Sequence, residues 1–276
     1  MSLNVENYFI SLFKSSHIGN DGAYIDAYVY SKDAFFEDVH FKNKWMNYYQ
    51  IARKAMFVNI SDAIAMNAKP LYALLSVAMP SSVSKKEMQA LASGFKSAAN
   101  EFAIDIIGGD TISNTKLDIT ITIISKTKKP LLRSSTKTGD FFAYTGTLGK
   151  SATDLKKLLR GGYIHSKSKF IDIKLRDTFI YNTSRYLSAG MDISDGLFSD
   201  LSKLTDASKV GCKFIKKISK EIGCSGEEYE MLISFSPRQK KALVRQAQRS
   251  RTPLNIFGIA QRRKYINRCK SHHFKR

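Results

Sequence analysis

Residues 80–126, PSSVSKKEMQALASGFKSAANEFAIDIIGGDTISNTKLDITITIISK, change their hydrophobic period within one stretch, and this constrains the fold more than any other feature. Ser84 and Glu87 have the spacing of a capping box, and Met88, Leu91, Ala92, Phe95, Ala98, Ala99 and Phe102 recur on one helical face. A helix after Pro80 is therefore expected. Ile104, Ile106 and Ile107 suit a short strand that the two glycines Gly108 and Gly109 would end in a turn. The period then becomes two. Leu117, Ile119, Ile121 and Ile123 face one way, while Asp118, Thr120 and Thr122 face the other, as in a half-buried strand. Upstream, KPLYALLSVAMP reads as another strand, preceded by a helix across FVNISDAIAMNA. Strands and helices mix in this way only in an α/β or α+β domain.

The chain has 276 residues, 43% of them hydrophobic, enough for one or two cored domains. A composition shift places a boundary near residues 135–150, with a second α/β region after it. No apolar run approaches the roughly 18 residues of a spanning helix, and Asn, Glu and Lys interrupt the opening MSLNVENYFISLFKSS, so neither a signal peptide nor an anchor is expected. Cys212, Cys224 and Cys269 show no metal-ligand spacing and are odd in number, which predicts neither a zinc site nor a disulfide framework and fits a cytoplasmic protein. Lys and Arg total 44 against 24 acidic residues, a net charge of +20 with much of the excess late in the chain. That charge favours anionic partners without choosing among them. No RNA-binding aromatic motif accompanies it, so nucleic acid is not the expected partner.

YTGTLGKS, residues 144–151, resembles a phosphate-binding loop at first reading. The loop needs G-x-x-x-x-G-K-[ST] so that successive N–H groups wrap the phosphates. Here Tyr144 stands where the first Gly belongs and Gly146 is too close. A tight glycine turn between a strand, FFAYTG, and a helix, SATDLKKLLRG, is the better reading. The acidic residues point elsewhere. Asp21, Asp33, Asp62, Asp110, Asp192 and Asp195 sit within two residues of Gly or Ser where apolar segments begin or end. Each alone would be a cap or turn residue. Together they form a set that could converge on hard cations such as Mg²⁺, which takes oxygen ligands and bridges carboxylates to phosphates. Phosphoryl transfer is the chemistry such a cluster supports, and Arg133 is a candidate cationic partner.

With these segments in place, the chain resembles the thiamine-monophosphate kinases of the aminoimidazole ribonucleotide synthetase superfamily. GNDGAYI is similar to that family's G-D-D-A-A opening, KDAFFEDVHF to T-D-x-x-x-E-G-V-H-F, and FVNISDAIAMNAKP to V-N-x-S-D-x-A-A-M-G-A-x-P. IIGGDT, RSSTKTGDFFAYTGTLG, MDISDGL and SGEEYEML follow in family order, with SHHF near the end. The resemblance implies a two-domain synthetase-like fold: residues 1–135 as an ATP- and Mg²⁺-binding, dimerising domain whose sheet pairs across a homodimer into a barrel, and residues 136–276 as a C-terminal α/β domain. It implies ATP as co-substrate and several Mg²⁺ ions, with direct transfer of the γ-phosphoryl group to thiamine monophosphate. Asp21, Ser31, Asp33, Asp62, Asp110, Asp192 and Asp195 would be metal ligands; Gly109, Arg133 and Ser194 would contact ATP; His40, Glu227 and Phe274 would lie at the thiamine substrate; Asp110, Asp195 and Arg133 would act in catalysis. Alternatives are another ATP-using superfamily enzyme, or a catalytically weakened relative that binds ligand or nucleic acid. No Cys precedes Cys212, where a selenium enzyme would commonly carry one. Departures from the family pattern are Asn20 for the first Asp of the usual pair, Lys32 for a hydroxyl residue, Asp38 for Gly, Glu228 for Asp, and a short stretch between Asp195 and Glu227.

Overall fold

The computed structural model describes residues 5–269. A short helix α1 (Val5–Ser11) precedes a first sheet of β1 (Ala23–Ile25), β2 (Tyr28–Phe36), β3 (Lys69–Met79), β4 (Asp105–Ser113) and β5 (Asp118–Lys126), in the order β1-β2-β5-β3-β4. All its pairings are antiparallel except β3 with β4. That parallel pair is joined through α3 (Lys85–Glu101), which the expected Ser84–Glu87 capping box opens. Helix α2 (Tyr48–Ala65) begins nine residues ahead of FVNISDAIAMNA, because Asn47 and Gln50 form a second capping box. α2 is buried on nearly every side and packs against β2 and β5 as well as the C-terminal half.

Residues 127–140 lead to a second sheet, β6 (Phe141–Thr145), β7 (Ala189–Asp192), β8 (Gly211–Phe214), β9 (Met231–Phe235) and β10 (Leu254–Gln261), ordered β7-β9-β6-β10-β8 and antiparallel throughout. Around it lie α4 (Lys150–Leu159), α5 (Asp177–Thr183), α6 (Leu197–Ala207), α7 (Lys220–Gly223) and α8 (Lys240–Arg249). The mixed α/β, two-sheet architecture is the expected fold class. One apolar core joins Ile60 and Ile64 of α2 to Ile119 and Ile121 of β5 and to Phe170, Phe179 and Ile233 of the second half. None of the described helices is long and apolar enough to cross a membrane.

Two expectations need correction. Gly108 and Gly109 do not end a strand but lie inside β4. A Cβ on Gly109 would stand 1.6 Å from the Leu75 carbonyl oxygen, and its φ is 150°, so glycine here permits close approach of β3 rather than a turn. The cysteines are not all free: Cys224 and Cys269 form a disulfide, and Cys212 is buried. An odd count without a spacing motif leaves room for one bridge across 45 residues, and the sequence gives no local sign of it.

Candidate active site

The carboxylates meet where the two halves adjoin. Asp21 comes from the turn before β1, Asp62 from the last turn of α2, and Asp192 from the end of β7; one carboxylate oxygen from each lies within 4.8 Å of the others. Helix periodicity places Asp62: Lys54, Val58 and Asp62 recur every four residues along one face of α2, and each reaches the same region. Ser61 beside it donates to Asp192 Oδ2 at 2.8 Å, tying α2 to β7. A cavity of about 260 Å³ is lined by these three aspartates together with Asp33, His40, Arg133, Ser194, Asp195 and Glu227.

Burial is the first cause of the site's electrostatics, and crowding of like charges is the second. The Asp62 carboxyl is pushed well above its usual range by burial, then by Asp33, Asp192 and Asp21, with Arg133 opposing. Asp192 is likewise raised by burial and then by Asp21 and Asp200, against the Ser61 hydrogen bond. Arg133 pairs with Asp21, and its backbone N–H donates to Asn20 Oδ1 at 3.0 Å. Burial would lower the guanidinium's pKa, but Asp21, Asp200 and Asp192 together outweigh this and hold it above its ordinary value. Asn20 thus supplies the acceptor that seats Arg133 without adding a charge to a crowded site. The second oxygen of Asp21 is buried with no hydrogen-bond partner. Three converging carboxylates with an orphaned buried oxygen form an all-oxygen donor set suited to Mg²⁺.

At one side, Asp195 Oδ2 accepts from Lys203 Nζ at 2.5 Å, and the same ammonium reaches Asp200 Oδ1 at 3.0 Å. Burial works against the Lys203 charge, yet Asp200 and Asp195 together hold it above its ordinary range. Asp200 is pushed up to about 6 by its own burial, less the pull of Lys203. At the other side, Lys54, with no exposed side-chain surface, forms an ion pair with Glu227 Oε2 at 2.8 Å and sits 3.7 Å from the centre of the Phe170 ring. Burial would raise Glu227, but Lys54, His40 and the Tyr229 hydrogen bond together draw it below its usual range. The Glu227 and Tyr229 N–H groups donate to the Ser194 and Ile193 carbonyls, which places the segment carrying Glu227 beside Ser194. His40 Nδ1 accepts from Phe36 N–H at 3.0 Å, so a neutral ring carries its proton on Nε2.

Several expected site residues stand elsewhere. Ser31 is buried and donates to Asn59 Oδ1 at 2.5 Å. Asp110 is exposed on β4, and its own Oδ1 accepts from Thr111 N–H. Its register partners are Ser76, then Thr120, then Ala34. Asp110 therefore lies three strand spacings from β2, about 14 Å, and on the opposite face from Asp33, whose partner Ile121 points into the core. Within one chain Asp110 does not join the Asp21–Asp62–Asp192 cluster. Gly109 shares β4 with it, and Phe274 lies outside the described residues. Lys32 also faces away, with Nζ on Thr120 Oγ1 at 3.3 Å. Asp38 has φ 64°, a left-handed position where Gly is natural and Asp tolerable, and pairs with Lys116 at 3.0 Å.

The YTGTLGKS turn does not cradle phosphate. Gly149 N–H donates to Glu228 Oε1 at 2.7 Å, and the Ser151 hydroxyl donates to the Glu227 carbonyl at 2.7 Å. A Cβ on Gly146 would meet Glu230 Oε1 at 1.9 Å, and Glu230 is itself held by both Arg176 and Lys169. The turn positions the SGEEYE segment. Sequence reasoning missed Lys54, Ser61, Asp200 and Lys203; Ser61 stands inside the quoted VNISD element and Asp200, in the first turn of the helix after MDISDG, extends that motif by one turn, whereas the two lysines had no signal.

Residues 19–127 match the family model described as AIR synthase related protein, N-terminal domain. The chain is 30% identical over 230 residues to the thiamine-monophosphate kinase of Nitrosopumilus maritimus, covering 76% of this chain and 74% of that protein. It is 32% identical over 249 residues to the thiamine-monophosphate kinase of Leptospira interrogans, covering 82% and 81%. Among solved structures, AaThiL complexed with AMPPCP and TMP superposes with a TM-score of 0.82 at 22% identity, over 96% of this chain and 94% of that one, which establishes a shared fold.

Proposed function

Because the chain belongs to the thiamine-monophosphate kinase family, we propose that it transfers the γ-phosphoryl group of ATP to the phosphate of thiamine monophosphate. The observation that carries this reading is the convergence of Asp21, Asp62 and Asp192 with Arg133 in one cavity. The acceptor is a phosphate whose second pKa is about 6, so it is a dianion at neutral pH and needs no general base. A phosphate oxygen forms the new P–O bond, the bond from the γ-phosphorus to the β,γ-bridging oxygen breaks, and that electron pair leaves on ADP. The protein's task is positioning and charge balance, with no covalent nucleophile.

Asp21, Asp62 and Asp192 would hold Mg²⁺, with Asp33 and Asp195 lining the same cavity. Held by these carboxylates, Mg²⁺ would supply the positive charge that neutralises the phosphates. Arg133 keeps Asp21 oriented and remains cationic, and Ser194 offers a hydroxyl to the nucleotide. His40 and the Lys54–Glu227 pair form the acceptor side, and Phe274 is assigned there from its place in the family pattern. The half-buried Glu227, paired with Lys54, would face a cationic thiazolium ring.

We assign Gly109 and Asp110 to a nucleotide-binding role that needs a second copy of the chain. β4 is exposed along its whole length, and its sheet face also exposes Tyr30, Tyr72, Leu74 and Ile112. An apolar sheet face of this kind is covered in a homodimer. Residues 1–135 would then form the dimerising, ATP-binding domain and 136–276 the second domain. Thiochrome fluorescence after incubation with ATP, Mg²⁺ and thiamine monophosphate tests the activity. Diphosphate should form only with all three present; ATP consumption without diphosphate would refute the substrate assignment.

A further inference from the structure

A groove of about 670 Å³ lies at the β8 edge of the second sheet and shares no lining residue with the catalytic cavity. β8 and β7 are the two outer strands of that sheet, four spacings or about 19 Å apart. Six exposed cations line the groove: Lys216, Lys217 and Lys220 after β8, and Arg263, Lys264 and Arg268 after β10. No carboxylate lines it, and none of the six forms an ion pair among the described residues. Glu221, next to Lys220, is engaged with its own backbone N–H and the Ser219 hydroxyl.

An aromatic ring stands among these charges. Phe214 is 36% exposed, and three other rings support it: Phe198 at 5.7 Å and 86°, Phe257 at 5.8 Å, and Tyr265 at 6.0 Å. Ring contacts on several sides fix its orientation, so the exposed part is a preset surface rather than a mobile side chain. We infer that this groove binds single-stranded nucleic acid, with a base stacked on Phe214 and backbone phosphates along the two cationic segments. Cations tracking a backbone beside a stacking ring are the features by which proteins hold single strands without sequence readout. A duplex keeps its bases stacked internally and could use only the cations. A bilayer surface presents anions in a plane, whereas this ring is recessed in a concavity.

The test uses the full chain and fluorescence anisotropy with a labelled single-stranded oligouridine, the matching duplex, inorganic polyphosphate as competitor, and vesicles containing acidic phospholipid. The single strand should bind more tightly than the duplex, and the logarithm of affinity should fall with the logarithm of salt by about 0.7 per neutralised phosphate. Replacing Lys216 and Lys217 by Ala should reduce that slope by about 1.4. Phe214→Leu, which keeps apolar bulk and removes the ring face, should weaken binding roughly tenfold and leave the slope unchanged. All these variants should still make thiamine diphosphate, which verifies folding independently. Equal binding of duplex and single strand, full displacement by polyphosphate with no effect of Phe214→Leu, or a preference for vesicles would each overturn the inference. If Phe214→Leu fails to fold, the strand preference and the exposed-lysine variants still decide it.

Discussion

Replacing Asp62 by Asn should make the ion-free protein more stable while abolishing its response to Mg²⁺. The carboxylate oxygens of Asp21, Asp62 and Asp192 lie within 4.8 Å of one another. At an effective dielectric of 20, each ionised pair at that distance repels by about 3.5 kcal/mol. Arg133 offsets part of this, and burial with repulsion already drives protonation of Asp62 and Asp192, so the relief should be nearer 1–3 kcal/mol. In a chain of this size that raises the melting temperature by roughly 2–5 °C. The pH dependence has a definite sign. The Asp62 and Asp192 carboxyls, raised in the folded state, bind more protons than in the unfolded chain, so their contribution to ion-free stability is fully present below the unfolded value of about 4 and is lost as pH rises through the folded values. Mg²⁺ requires the ionised forms, so the stabilisation it gives should grow over the same window. Melting curves of wild type and Asp62→Asn, in chelator and in Mg²⁺ at pH 5.5 and 8, measure both effects. A less stable ion-free variant that kept the Mg²⁺ shift would refute the cluster as the metal site.

Lys203→Met leaves the fully buried Asp200 carboxylate without its cation; unfolding should become about 2–4 kcal/mol easier at pH 8, less at pH 5.5 where Asp200 protonates, and denaturant melts at both pH values check it. Reducing the Cys224–Cys269 bridge, or replacing Cys269 by Ser, should cost about 2–4 kcal/mol, and the Cys269→Ser variant should no longer respond to reductant, whereas Cys212→Ser, which keeps the bridge, should respond as wild type does; an unchanged wild-type melting temperature under reductant would show that the bridge contributes nothing. Gly146→Ala forces a Cβ to 1.9 Å from Glu230 Oε1 and should lose at least about 2 kcal/mol by displacing the Arg176–Glu230 pair, which thermal melts and the acceptor KM together would report.

What the sequence made legible follows the range of the interactions concerned. α3 with its Ser84–Glu87 box and the alternating β5 appear where expected because their signals lie within a few residues, in a cap and a period. The long reach of α2 was underestimated although Asn47 and Gln50 are equally local, because a helix buried on most sides has no polar face to mark its extent. Gly108 and Gly109 misled for another reason: glycine signals either a turn or close backbone approach, and only the register of β3 against β4 decides between them. The site divides along the same line. Asp21, Asp62 and Asp192 stand out as a set because a basic chain carries few acids at segment ends, but their meeting depends on α2 packing against both sheets. Asp110 has the same local appearance and lies on the other sheet face, so residue type and neighbours cannot separate it from the true cluster. Lys54 and Lys203 were invisible for the opposite reason. In a chain with 44 cations, a buried lysine that balances a carboxylate looks in sequence like any solvated one. The net charge of +20 therefore conceals a local excess of carboxylates over Arg133, Lys54 and Lys203, which only the fold assigns residue by residue.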